Sequence, residues 1–121
     1  MIDTTVDRVA MLQGAVTRVA PAASIVVIGS DAHLGRWHGT GQAAASAALL
    51  GIMRSVAMEY GRHGVRANML ALPLGTDAGD AAIVEDAARQ AIAVFGSASI
   101  TGETILIDAG ANLKFRQARR R

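Results

Sequence analysis

The sequence predicts an α/β domain with about three parallel strands and three main helices. Two observations carry this. A short continuous run of β-branched residues stands at 24–29, a pattern that suits a strand covered on both faces, and further strand segments stand at 65–72 and 104–107. Between and before them lie longer stretches with apolar residues at helical spacing, at 3–20, 42–60 and 81–95. The order α-β-α-β-α-β is that of a parallel sheet joined by right-handed helical crossovers. No repeat or linker divides the chain, so residues 1–113 read as one domain and 114–121 as a basic tail.

The elements can be justified in turn. From Asp3 to Ala20, the residues Val6, Val9, Ala10, Leu12, Val16 and Val19 follow a helical rather than an alternating period, and Pro21 ends the helix. Ser24-Ile25-Val26-Val27-Ile28-Gly29 is the first strand. Ser30 to Gly41, rich in Gly and His, is expected to be a loop. Gln42 to Tyr60 is a long helix with Gly61 as its stop. Its first half is a run of Ala, Ser and Gly, which permits close approach of another helix. Combined with Leu49, Leu50, Ile52, Met53 and Val56, this run points to burial on several sides. Val65 to Leu72 is the second strand, Thr76 to Asp80 a loop, Ala81 to Phe95 the third helix, and Thr104 to Ile107 the last strand.

Composition excludes several classes of protein. In 121 residues, 51% are hydrophobic and the net charge is +2, which is incompatible with a disordered chain. The absence of cysteine excludes a disulfide scaffold and a thiolate metal site. No apolar run approaches the roughly 20 residues that span a bilayer, and Met1-Ile2-Asp3 carries no basic leader region. A cytoplasmic location with no membrane partner is therefore expected. The pI of 9.9 comes from the tail, where Lys114, Arg116, Arg119, Arg120 and Arg121 cluster. The rest of the chain has seven arginines against ten acidic residues, and aromatics make up only 3%, so no nucleic-acid partner is expected.

Three segments resemble the C-terminal half of the short-chain dehydrogenase/reductase family. Ser24-Ile25-Val26-Val27-Ile28-Gly29-Ser30 is similar to the strand that ends at the family's catalytic serine. The stretch from Ala47 to Gly61, followed by Gly64-Val65-Arg66-Ala67-Asn68, is similar to its long helix and next strand. Ile100 to Gly110, with Thr101-Gly102-Glu103 leading into Thr104-Ile105-Leu106-Ile107-Asp108, is similar to its closing strand. The resemblance implies a partial Rossmann-like fold, truncated to the family's C-terminal half.

The resemblance also shows what is missing. Family members bind a dinucleotide through a glycine-rich turn in an N-terminal half. No G-x-G-x-x-G spacing is present here, so no NAD(P) or other cofactor is expected. In the family a tyrosine donates a proton to the substrate oxygen, and a lysine one helical turn later lowers its pKa. Matching through the Gly51 helix places Gln42 and Ser46 at those positions, and Met11 where the family has a helix asparagine. An amide is no acid near neutrality, and a serine brings no charge. Only Ser30 matches. Leu72-Pro73-Leu74 replaces a Pro-Gly step, and little remains of the substrate-covering segment.

Two functions follow as expectations. The first is a noncatalytic subunit that serves assembly, either as a homo-oligomer or as the silent partner of a full-length reductase. The resemblance implies that its helices are those by which family members associate. Ala44, Ala47, Ala48, Gly51 and Ser55, Leu12 and Val16 of the first helix, and Trp37 are the expected interface residues. The first strand, expected to lose its inner neighbour, would present an apolar edge. The alternative is a cofactor-independent acid/base enzyme, an isomerase, dehydratase or cyclase, built around Ser30, Asp31, His33, His38 and Gln42. Histidine's ordinary pKa suits such work. The same residue types could form a hydrolytic triad, but Ser30 lies in no nucleophile elbow. Nothing in the spacing of Asp31, His33 and His38 defines a metal site.

Overall fold

The computed structural model describes residues 22–113 together with Ala10, Met11 and Gly14. Its elements, in order, are strand β1 (Ser24–Ser30), helix α1 (Thr40–Tyr60), strand β2 (Arg66–Leu72), helix α2 (Ala81–Phe95) and strand β3 (Thr104–Leu106). The strands form one parallel sheet in the order β1-β2-β3. The expected α/β architecture is present, with three parallel strands and two main helices. Of the helix expected over 3–20, only Ala10, Met11 and Gly14 are described, all helical. Leu12, Val16 and the tail 114–121 lie outside the described residues.

The two-residue period of a strand sorts the core into two layers. On one face Ala67, Met69 and Ala71 of β2 meet Leu49, Met53, Val56 and Ala57 of α1, with Ile25 and Val27 of β1 packed against them. On the other, Leu70 and Leu72 meet Ala87 of α2, joined by Val26, Ile83, Ala91 and Ile105. The central strand is therefore covered on both sides, whereas β1, whose unbroken β-branched run suits cover on both faces, is not. Met53, Met69 and Leu70 are fully buried. Burying each such side chain contributes about 1.5–3 kcal/mol. Gly29 is required by this packing, because a Cβ there would lie 2.7 Å from the Met69 sulfur.

The flanking strands differ from the centre. β1 is only half-buried, and Ile28 is 55% exposed. Among the described residues nothing pairs with the outer edge of β1. Helix α1 buries one side only. Ala44, Ala47, Ala48, Gly51 and Ser55 are exposed, which corrects the expectation of burial on several sides within the chain. The sheet offers the helix a single surface, and the small residues face away from it.

Local chemistry explains three further departures. The segment after β1 is no simple loop. Asp31–Leu34 forms a 3-10 turn, because the Ser30 hydroxyl accepts the Ala32 amide at 3.3 Å. Helix α1 stops at Gly61 as expected, but the chain does not straighten there. A 3-10 turn follows over Gly61–His63, and Gly64, at φ 75°, ends it. The last strand ends at Leu106, although the Ile107 amide still donates to the Ala71 carbonyl at 2.9 Å.

Two polar side chains of β2 fasten the remainder of the fold. Arg66 donates to the carbonyls of Val94, Phe95 and Ser97, closing the C-terminal end of α2 and the turn that follows it. Asn68 is fully buried; its Nδ2 donates to the Ile100 carbonyl at 3.0 Å and its Oδ1 accepts from the Glu103 amide at 3.1 Å. It thereby sets the entry to β3. Asn68→Ala is expected to leave both backbone groups unpaired and to cost about 2–4 kcal/mol, measured as a lowered midpoint in urea unfolding.

Candidate functional site

The carboxyl ends of β1 and β2 open into a cleft of about 310 Å³. Its floor comes from Ile28, Gly29 and Ser30 of β1 and Leu72 of β2. One wall is the first turns of α1, with Gln42, Ala45, Ser46 and Leu49, and the other is the 73–76 turn. Ser30 reaches it because β1 ends there, and Ser46 because it lies one turn after Gln42 on the same face of α1.

The polar groups of the cleft are uncharged. Ser30 Oγ and Ser46 Oγ are 2.6 Å apart and share one hydrogen bond. Thr76 Oγ1 donates to the Pro73 carbonyl at 2.6 Å, tightening the turn. Gln42 is placed by the turn before the helix: Gly39 is buried, and a Cβ on it would lie 2.8 Å from the Gln42 Oε1 and 2.6 Å from the Arg36 Cγ. No titratable side chain of the described residues lines the cleft.

The other candidate residues lie elsewhere. Asp31 is 7% exposed, and both its oxygens are engaged. Its Oδ1 accepts from the Leu74 amide at 3.0 Å and its Oδ2 from the Asn112 side chain at 3.1 Å. His33 Nδ1 donates to the Ser30 carbonyl at 2.9 Å, since that oxygen can only accept. His38, at φ 55°, meets the Trp37 ring edge-on at 5.0 Å. Trp37 is 76% exposed. Neither histidine lines the cleft. The structure therefore brings Ser30, Gln42 and Ser46 together and leaves Asp31, His33 and His38 outside. No group of three or more His, Asp or Glu among the described residues is placed to hold a metal ion. No helix among them is long and apolar enough to cross a membrane.

Sequence reasoning missed Asn112 and Asp108. Asp108 Oδ2 accepts from the Asn112 amide nitrogen and side chain, and its Oδ1 from the Gly110 amide. The Asn112 side chain, then its backbone amide, holds the Asp108 carboxyl below its ordinary 3.8. The spacing Asp-x-x-x-Asn after a strand is a turn signal, but its link to Asp31 across 81 positions has no local signature.

A parallel sheet with helices on both faces, and a cleft outside the carboxyl ends of its strands, defines part of a doubly wound α/β protein. The family model described as Enoyl-(Acyl carrier protein) reductase matches residues 7–94, and the chain belongs to that family, within the short-chain dehydrogenases/reductases. Solved structures share the fold. An apo SCOR enzyme from Clostridium thermocellum is similar at TM-score 0.67 and 20% identity, over 81% of this chain and 45% of that one. A Burkholderia xenovorans protein assigned to the short-chain dehydrogenases/reductases is 27% identical at TM-score 0.63, over 77% of this chain and 45% of that one. The enoyl-[acyl-carrier-protein] reductase (NADH) of Aquifex aeolicus is 23% identical at TM-score 0.64, over 77% and 40%. The chain thus spans less than half the length of these three. No curated protein matches it.

The cleft does not fit a nicotinamide cofactor held in that family's manner. The position where the resemblance expects a lysine is Ser46, too short and uncharged to hold a ribose, with its hydroxyl engaged by Ser30.

Two predictions follow from these contacts. Asp31→Ala removes two hydrogen bonds to a buried carboxylate and is expected to cost about 2–3 kcal/mol, with faster amide exchange at Leu74. The depressed pKa of Asp108 means that its carboxylate stabilises the fold at neutral pH. That stability is lost as pH falls through the lowered value. Protection of the Gly110 and Asn112 amides is expected to fall on acidification below the ordinary 3.8, and Asp108→Asn is expected to abolish this dependence in hydrogen exchange.

Proposed function

We propose that the chain is a noncatalytic short-chain dehydrogenase/reductase-like subunit that serves assembly, as a homo-oligomer or as the silent partner of a full-length reductase. The observation that carries this reading is the uncharged cleft. Where the family uses an acid and a cation, this chain places an amide and a serine, and the nearest hydroxyls bond to each other. Proton transfer at neutral pH needs a group whose pKa lies near the working pH. The cofactor-independent acid/base alternative lacks that support, because His33 and His38 are not among the lining residues.

The assembly role is supported by the outer face of α1. Ala44, Ala47, Ala48, Gly51 and Ser55 are exposed together, and a Cβ at Gly51 meets nothing within 4 Å. A second helix can approach such a face closely. Trp37 and Ile28 add exposed apolar area.

Light scattering after size exclusion is expected to give a mass above that of one chain, alone or with a co-purifying reductase. Gly51→Arg places a long cation on the α1 face without disturbing the core. It is expected to return the protein to monomer with unchanged far-UV circular dichroism. A wild-type monomer with no associated reductase, or oxidation of NAD(P)H by the isolated chain, would refute the reading.

A further inference from the structure

We infer that the Ser30–Gln42–Ser46 cleft is a binding site for a small uncharged amide or lactam, held without being chemically changed. The inference rests on the reading of this cleft as noncatalytic and specifies what the site recognises.

Ser30 and Ser46 carry one hydroxyl hydrogen each, and their 2.6 Å contact uses one of them. Ser30 Oγ also accepts the Ala32 amide, so the pair has a surplus donor. Thr76 has given its hydrogen to Pro73 and retains only acceptor capacity toward the cleft. Gln42 contributes one acceptor and two donors from a side chain set against Gly39. The cleft thus pairs a free hydroxyl donor with an amide that can both give and take. A ligand carrying a carbonyl oxygen next to an N–H satisfies both.

Charge and size narrow the class further. A carboxylate or ammonium ion drawn into this space would meet no described counter-charge, and desolvating an unpaired ion is costly. Ile28, Ala45, Leu49 and Leu74 supply apolar surface for a short hydrocarbon body. A volume of about 310 Å³ lies at the small end of ligand sites. Sites that hydrogen-bond a ligand group reject analogues lacking it, because their own polar groups are left unpaired.

The test is a titration of the ¹⁵N-labelled protein followed by amide chemical shifts, with ε-caprolactam, cyclohexanone, hexanoate and cyclohexylamine as probes. The lactam is expected to shift the amides of Ser30, Ser46 and Thr76 with millimolar affinity. Cyclohexanone, which accepts but does not donate, is expected to bind more weakly, and the two ions to leave these amides unmoved. Ser46→Ala retains a good helix former, and it and Gln42→Leu are each expected to weaken the lactam about 5- to 10-fold. Absence of lactam shifts in the millimolar range, an ion binding as tightly as the lactam, or unchanged affinity in both variants would overturn the inference. These results leave the assembly reading standing. Reduction of cyclohexanone with NADH would instead overturn the noncatalytic reading and, with it, the premise of this one.

Discussion

The Asp31 carboxylate is the constraint on which the site depends. It leaves the end of β1 and ties down the turn after β2, through the Leu74 amide, and the turn after β3, through Asn112. Three strand ends are thus fixed by one buried charged group. Buried carboxylates are tolerated when donors replace lost water, and here two donors do so. The consequence reaches the cleft directly, because Leu74 and its neighbours form one of its walls. His33 directs its Nδ1 to the Ser30 carbonyl and not to this carboxylate, so the local sequence Asp-Ala-His does not make a catalytic pair.

Around that constraint the fold is organised by β2. Its six residues from Ala67 to Leu72 are buried, whereas β1 is only half-covered. The same strand supplies the polar fasteners. Arg66 closes the end of α2, and Asn68 holds the loop entering β3. The three-residue β3 is therefore positioned as much by side chains of β2 as by its own ladder. The apolar surface that β2 cannot cover lies on the outside: Ile28 at the strand edge and the small-residue face of α1.

What could be read from the sequence follows from the range of the forces involved. The first strand was legible because an unbroken β-branched run has one good use in a short α/β chain. Helix α2 was legible because its apolar residues keep a helical period. The stop of α1 at Gly61 was legible, whereas the 3-10 turn that follows it, closed by Gly64 in the left-handed conformation, is a matter of backbone geometry that composition does not mark. The small-residue run of α1 was read as buried on several sides, because composition reports what a face permits and not what covers it. In the site, Gln42 and Ser46 were located through the register of one helix and Ser30 through the end of the first strand. The Asp31–Asn112 contact was invisible because nothing in the intervening chain marks it.

The replacement of an acid–cation pair by Gln42 and Ser46 has a physical consequence beyond lost chemistry. A lysine in a cleft of this kind must be solvated, paired or placed against an anion. The Ser30–Ser46 contact carries no such requirement. Two neutral hydroxyls share one hydrogen bond at 2.6 Å and need no counter-charge to hold the walls in place. The cleft can then persist as a packed feature of the fold. Its shape remains coupled to the rest of the fold, because the turn that bounds it is held by Asp31, and Asp31 is held in turn by the segment after β3. A change at the far end of the chain therefore reaches the cleft through two hydrogen bonds and one carboxylate.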